Sequence, residues 1–219
     1  MPKENKQNTF DRIIAASLQL FNEEGERNVS TNHIAAHLGI SPGNLYYHFR
    51  NKEEIIVRLY RQYSTAIMAW LQDAPLPQNM QDTADYLNGI FEIMWQYRFL
   101  FSDVNSLLSR SAELVGEHNE LTRDKARPMM LRHLRELADN GVLHFREEAD
   151  IEDLCINLWM TTKYWFDFDR SMRGRGKLTE SARALGVLRN LSLLRPYISE
   201  NHRAELQSVS EDLKKRAAA

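Results

Sequence analysis

Apolar positions recur at helical spacing along almost the whole chain, and nowhere do they alternate singly as a half-buried strand requires. Phe10, Ile13, Ile14, Ser17, Leu18 and Phe21 share one face of a helix predicted over about 9–24. Ile55, Ile56, Leu59, Tyr63, Ile67 and Trp70 do the same over about 52–72, up to a Pro-rich break at 73–77. A helix of roughly 20 residues spans about 30 Å, enough to connect two bodies. Further helical patterns cover about 79–97, 102–112, 116–139, 150–171, 179–197 and 200–216. Asn140-Gly141 closes one of them, and Asp150 is placed to cap the next. The predicted fold is therefore all-α, with a small helical domain at 1–52 and a larger helical body at 53–219, joined through the helix at 52–72.

The most structured local signal is the run STNHIAAHLGISPGNLYYHFRNK at 30–52. Ser30 and Thr31 carry hydroxyls that can cap a first helix, and Gly39 allows the left-handed turn that ends it. Ser41 then caps a second helix with Pro42 at its first position, where a missing N–H costs nothing. Ala35, Gly39 and Leu45 fall where a helix-turn-helix needs a small contact, a turn and a buried anchor. Asn51 and Glu54 form a capping box for the helix that follows.

In such a unit the start of the second helix meets base edges in the major groove. Pro42, Gly43, Asn44 and Tyr46 stand there: Gly43 removes bulk, and Asn44 can bond an adenine through two atoms. Thr31, Tyr47, His48 and Lys52 are placed to grip phosphates. The helix holds neither Arg nor Gln, which leaves room for shape readout. Tyr46 and Tyr47 could instead pack the small domain, His48 could bond a nearby carbonyl, and Asn44 could face solvent.

These residues resemble the tetracycline-repressor (TetR) family of bacterial regulators. The resemblance is carried by the Leu38-Gly39 turn, the run LYYHF at 45–49, the basic Arg50 and the pair Asn51-Lys52, preceded by TFDRIIAASLQLFNEEG at 9–25. It is specific over about 8–65. It implies an N-terminal three-helix DNA-binding domain and a C-terminal domain for ligand binding and dimerisation. The positions of Pro42, Gly43, Asn44 and Tyr46 are implied to meet bases or adjacent backbone, and those of Tyr47, His48 and Lys52 phosphates.

Two stretches of the body, 90–101 and 158–168, are apolar around most of the helix. The resemblance implies that the helices at 150–171 and 179–197 pair with a second subunit, with Trp165, Phe168, Leu185, Leu188 and Leu191 as interface candidates. It also implies a small-molecule pocket, for which Phe91, Met94, Trp95, Phe99, Met130, Leu134, Trp159 and Thr162 are candidates. Both sets could equally be intrachain core. Arg98, Arg110 and Lys163 are possible partners for an anion, although arginines on helix faces are mostly solvated.

Composition narrows the function further. The formal net charge is −2, and within 1–52 six cations face five carboxylates, so non-specific charge-driven binding is not the expected mode. No apolar run reaches the ~20 residues of a membrane span, and the polar first ten residues lack a signal-peptide core. The single cysteine, Cys155, suits a reducing cytoplasm and reads as a buried, inert thiol. His33 and His37 have a metal pair's spacing, but Ile34 stands where a zincin needs Glu and no third ligand is apparent; no metal and no cofactor is expected. No GxGxxG, P-loop or GxSxG motif is present, so no enzymatic activity is expected. The basic loop at 170–177 reads as solvated.

The resulting expectation is a cytoplasmic, nucleoid-associated homodimer that binds a palindromic operator and responds to a small molecule, most simply as a repressor. A helical adaptor, or a small-molecule-binding protein with vestigial DNA binding, remains open at this point, and an inducer and a corepressor are equally allowed.

Overall fold

The computed structural model describes residues 8–102, 104–173 and 178–218. Among them there is no strand, only one isolated bridge between Leu143 and Ile198. The first three helices, α1 (Thr9–Glu24), α2 (Thr31–Leu38) and α3 (Pro42–His48), make the small N-terminal domain, with a 3-10 turn at Glu26–Asn28. Ile13, Phe21, Ile34 and Leu45 are buried together at its centre.

Local capping sets the angle of the pair α2–α3. Ser30 Oγ accepts from the His33 N–H at 3.2 Å, and Ser41 Oγ from the Asn44 N–H at 3.1 Å. Between them Gly39 sits at φ 65°, ψ 30°, the left-handed region where a Cβ is unfavourable. Asn51 caps α4 (Lys52–Asp73) through the Glu54 N–H. Glu54 reaches one residue beyond the expected box and accepts from the Arg50 N–H at 2.7 Å.

The body comprises α5 (Met80–Gln96), α6 (Val104–Leu108), α7 (Ala112–Asn119), α8 (Arg127–Asp139), α9 (Glu148–Met172), α10 (Ser181–Leu194) and α11 (Arg203–Ala218). Three departures from the periodicity have local causes. The segment expected as one helix over 102–112 is preceded by a 3-10 turn at Arg98–Phe101 and holds only the short α6 before α7 begins at Ala112. The expected helix at 116–139 is interrupted by a π-helical stretch, Glu120–Ala126. Pro128, lacking an N–H, sits in the first turn of α8 and cannot continue the α-helical ladder across that junction. Asp150 is the third residue of α9 rather than its cap; its carboxylate accepts from the N–H groups of Arg146 and Glu147 at 3.1 and 3.4 Å.

α10 is the central strut of the body, packed against α5, α9 and α11. Gly186 makes this possible: a Cβ there would lie 2.4 Å from the Phe91 ring and 2.7 Å from Trp165. α4 leaves the small domain, runs about 33 Å at 1.5 Å per residue and packs against α5, α7 and the π-helical stretch.

Candidate DNA-reading surface and buried cavity

On the small domain, Pro42, Gly43, Asn44, Tyr46 and Tyr47 are all exposed, whereas Leu45 between them is buried. The residues expected at the groove are therefore all open to solvent. Tyr47 is 85% exposed, its ring edge-on to that of His48. An aromatic ring so exposed contributes little to folding. Tyr46 Oη and Thr31 Oγ1 lie 3.0 Å apart, which joins the start of α2 to the recognition helix α3 and holds the Tyr46 ring in place. His48 is half-buried, its ring edge-on to Phe10.

Lys52 is the exception. Its ammonium donates to the carbonyls of Glu26 (2.9 Å) and Val29 (3.1 Å) and pairs with Glu26 Oε1 (2.8 Å). An ammonium has three N–H donors, and all three are engaged inside the protein. Lys52, expected at a phosphate, here clamps the turn between α1 and α2. Arg50, three residues after Tyr47, has a side chain that is 90% exposed, with its guanidinium 3.8 Å from Glu54. Its basic character was visible in the sequence; that its neighbour would be consumed internally was not.

His33 and His37 are exposed, and the described residues contain no cluster able to hold a metal. In the basic loop at 170–177, Arg170 pairs with Asp167 and donates to the Ser102 carbonyl, and Arg173 pairs with the buried Asp169 at 2.9 Å; residues 174–177 lie outside the described residues.

The body encloses a cavity of about 140 Å³ between α4, α5, α6–α8, α9 and α10, about ten times what one water needs by that measure. Of the pocket candidates, Met94, Met130, Leu134, Trp159 and Thr162 line it. Phe91, Trp95 and Phe99, also named as pocket candidates, do not line this cavity. Phe91 is spent against Gly186 and Phe166. Trp95 is covered by the guanidinium groups of Arg98 and Arg183. Phe99 packs on Phe21 of α1, with ring centroids 5.2 Å apart, and so ties the two domains together.

The polar part of the wall comes from residues the periodicity did not single out as a group. Tyr60 Oη and His118 Nδ1 are 2.9 Å apart, and Lys163 Nζ approaches His118 Nε2 at 3.0 Å. The ammonium can only donate, so the neutral ring carries its proton on Nδ1, toward Tyr60. Burial, with help from the Lys163 charge, pushes the His118 pKa down to about 4. Burial likewise raises the Tyr60 and Tyr63 hydroxyls well above the usual tyrosine range. Thr162 donates to Asn190 Oδ1 at 2.9 Å, and Asn190 in turn donates to the Gly186 carbonyl.

Of the interface candidates, Trp165, Leu188 and Leu191 are intrachain core: the Trp165 indole donates to the Ala182 carbonyl at 2.7 Å, and Leu191 is fully buried. Leu185 is half-buried and Phe168 is 54% exposed. The free apolar face of α9 is instead Ile156, Met160, Tyr164, Phe168 and Met172, one residue every four. Cys155 is buried, and that burial raises its thiol to about 11.

Comparison with known proteins places this architecture. The family model described as "Bacterial regulatory proteins, tetR family" matches residues 13–59, and that described as "Bacterial transcriptional repressor" matches 62–206. An HTH-type transcriptional regulator of Staphylococcus aureus (strain USA300) is 47% identical over 53 residues, which are 24% of this chain and 26% of the relative. The chain thus spans about a quarter of the length of the curated relatives it matches. The crystal structure of a TetR-family transcriptional regulator from Marinobacter aquaeolei VT8 superposes with a TM-score of 0.83 at 35% identity, covering 94% of this chain and 99% of that one. The TetR family regulator PfmR from Thermus thermophilus, at 24% identity and a TM-score of 0.64 over 84% and 98% of the two chains, shares the fold. A capped helix-turn-helix, a long connecting helix, a helical body and family matches over most of the chain agree: the protein belongs to the TetR family and is a transcriptional regulator with an N-terminal helix-turn-helix DNA-binding domain.

Proposed function

We propose that the protein acts as a homodimeric, ligand-responsive repressor that reads a palindromic operator. The observation that carries this reading is the sharing of α4 between two sites. Its first residues, with the cap Asn51 and the clamp Lys52, anchor the DNA-binding domain, and farther along Tyr60, Tyr63, Ile67 and Leu71 form one wall of the cavity. A molecule in that cavity touches the helix on which the recognition surface stands.

Pro42, Gly43, Asn44 and Tyr46 then meet the groove, with Asn44 as the direct base reader. Thr31, Tyr47 and His48, with Arg50 in place of Lys52, meet phosphates. The α9 stripe from Ile156 to Met172, flanked by Leu185 of α10, is the face that a second copy covers; five large apolar side chains in one line are costly to leave in water. Two-fold symmetry supplies the second half-site.

Selection of duplexes from a random pool at about 150 mM salt, near physiological screening, tests the reading. The expected product is an inverted repeat with half-sites about 34–36 Å apart centre to centre. Enrichment of a single half-site removes the dimer, and no enrichment removes the apo repressor.

A further inference from the structure

Two of the residues lining the cavity carry polar atoms with no partner. Tyr86 Oη and His133 Nε2 are buried, and neither forms a hydrogen bond. Tyr86 is 8% and His133 7% exposed, and their rings meet edge to face with centroids 4.8 Å apart. Other polar side chains of the wall bond within the protein: His118 bonds Tyr60 and Lys163, Thr162 bonds Asn190, and Thr83 donates to the Asn79 carbonyl. A buried hydroxyl and a buried imidazole nitrogen without partners destabilise the fold. Their position on a cavity wall marks them as groups kept for something that enters.

Their charge state narrows what that is. Burial, with a smaller effect of the Arg132 guanidinium, pushes the His133 pKa down to about 4, and burial raises the Tyr86 hydroxyl above the usual range against a smaller opposing effect of the same guanidinium. Both are neutral near pH 7. Lys163 is the one Lys or Arg among the cavity-lining residues, and it sits at the other end. The Tyr86 ring packs near Trp70 of α4, whereas Lys163 reaches His118 beside Tyr60 of the same helix. The ten residues from Tyr60 to Trp70 correspond to about 15 Å of helix. An anionic head group beside Tyr86 and His133 would be desolvated with no lining cation to pair with, since Arg132, whose charge acts on both, is not among the lining residues.

We infer that the cavity takes an apolar molecule bearing a neutral oxygen head group, a ketone or an alcohol, held by Tyr86 Oη and His133 Nε2. Tyr86 donates to the ligand oxygen. His133 donates alongside it to a ketone, or accepts the proton of an alcohol, according to its tautomer. This rests on the reading of the cavity as an effector site and adds the effector's chemical class.

The test is calorimetric titration of the full chain with four eight-carbon probes: methyl hexyl ketone, n-octanol, octane and octanoate. The ketone and the alcohol are expected to bind about tenfold tighter than octane, the value of one well-made hydrogen bond, and also tighter than octanoate. Tyr86→Phe and His133→Phe should erase that preference while keeping octane affinity, and Lys163→Met should leave it intact. Tyr86→Phe should also raise the melting midpoint of the ligand-free protein, because it removes an unpartnered hydroxyl; this shows that the variant folds. Equal binding of all four probes, octanoate binding that depends on Lys163, a preference that survives both substitutions, or binding of none overturns the inference. Repeating the titration with operator duplex separates the two readings. Head-group-indifferent probes that release DNA sink the assigned class but keep the responsive regulator. Selective binding that leaves operator occupancy unchanged does the reverse.

Discussion

Glu26 is a buried carboxylate at the junction of the two domains, and Glu26→Gln isolates what its charge contributes. Its side chain is 5% exposed; it accepts from Arg110 through both oxygens, at 3.1 and 2.7 Å, and pairs with Lys52 at 2.8 Å. Burial alone would raise its pKa, but the hydrogen bonds and charges of Arg110 and Lys52 outweigh that, and the net shift is below the ordinary 4.5. Removing one member of a buried pair costs about 3–5 kcal/mol. Arg110 is about a third exposed, so its part is discounted for solvent screening, and a loss of roughly 2–3 kcal/mol remains. For a chain of this size that corresponds to roughly 5–10 °C in melting midpoint. The pH dependence has a definite sign. A carboxyl whose folded pKa is depressed contributes fully above its unfolded pKa, and the contribution is lost as pH falls through the folded value. Wild type and Glu26→Gln should therefore differ most near pH 7, with the difference shrinking as pH falls below about 4.5. Thermal melts of both proteins between pH 7 and pH 3 measure this, with Asp124→Asn, which breaks an exposed pair with Arg123, expected to leave the midpoint unchanged. A gap under about 0.5 kcal/mol, or one that persists unchanged to pH 3, refutes the reasoning.

The other predictions are more local. Arg50→Ala should reduce the slope of log affinity against log salt by about 0.9 for each phosphate no longer neutralised, whereas Lys52→Ala should lower the melting midpoint and leave that slope nearly unchanged; filter-binding titrations and melts of both decide between the two cations. Gly186→Ala drives a methyl into Phe91 and Trp165 and should cost about 1–3 kcal/mol by urea unfolding. His118 and His133, both with pKa pushed from 6.5 to about 4, make the unfolded chain bind more protons, so stability should fall by a few kcal/mol between about pH 6.5 and pH 4; His133→Phe should remove part of that fall. Phe168→Glu places a carboxylate in the middle of the α9 stripe and should give a folded monomer by light scattering, since the native side chain is more than half exposed.

What could be read from the sequence was what is decided within a few residues. Ser30, Gly39, Ser41 and Asn51 act on backbone groups no more than five positions away, so the turn and both caps of the reading unit follow from residue types alone. Lys52 could not be read this way. Its partners lie 23 and 26 residues earlier in the chain, and nothing local distinguishes an ammonium clamped on them from one free to meet phosphate. The stretch 158–168 shows a related ambiguity. Trp165 and Phe168 are both large and apolar, and only the placement of α10 buries the first and leaves the second bare. For the cavity, Met94 and Phe91 sit less than one turn apart with the same hydrophobic character, and the presence of Gly186 opposite Phe91 decides that it fills core instead of lining the void.

The junction limits how the proposed response can work. α4 is not a lone stalk between two free bodies. Asn22 at the end of α1 donates to the Gln96 carbonyl at 2.8 Å and accepts from the Phe99 N–H at 3.1 Å, Phe21 packs on Phe99, Glu26 holds Arg110, and Arg27 reaches Ser106 at 2.6 Å. The DNA-binding domain is thus fastened to the end of α5 and to α6 and the turn after it, as well as to α4. A tilt of α4 alone would have to break these contacts, so a ligand acting that way needs a large preference for the tilted state. Taking a population from 99:1 to 1:99 already requires about 10⁴-fold differential affinity before any contact is broken. A lower-cost route moves the small domain together with the segment at 96–111 against α8, α9 and α10, with the contacts intact and the slip occurring across the cavity itself. The cavity wall contains residues from both sides of that division: Leu100, Phe101, Val104, Leu107 and Leu108 on one, Leu134, Leu158 and Asn190 on the other. On this route a substitution such as Glu26→Gln, which loosens the junction, should uncouple ligand binding from operator release without weakening the binding of ligand alone or of operator alone. If the tilt of α4 were the mechanism, the same substitution would make release easier.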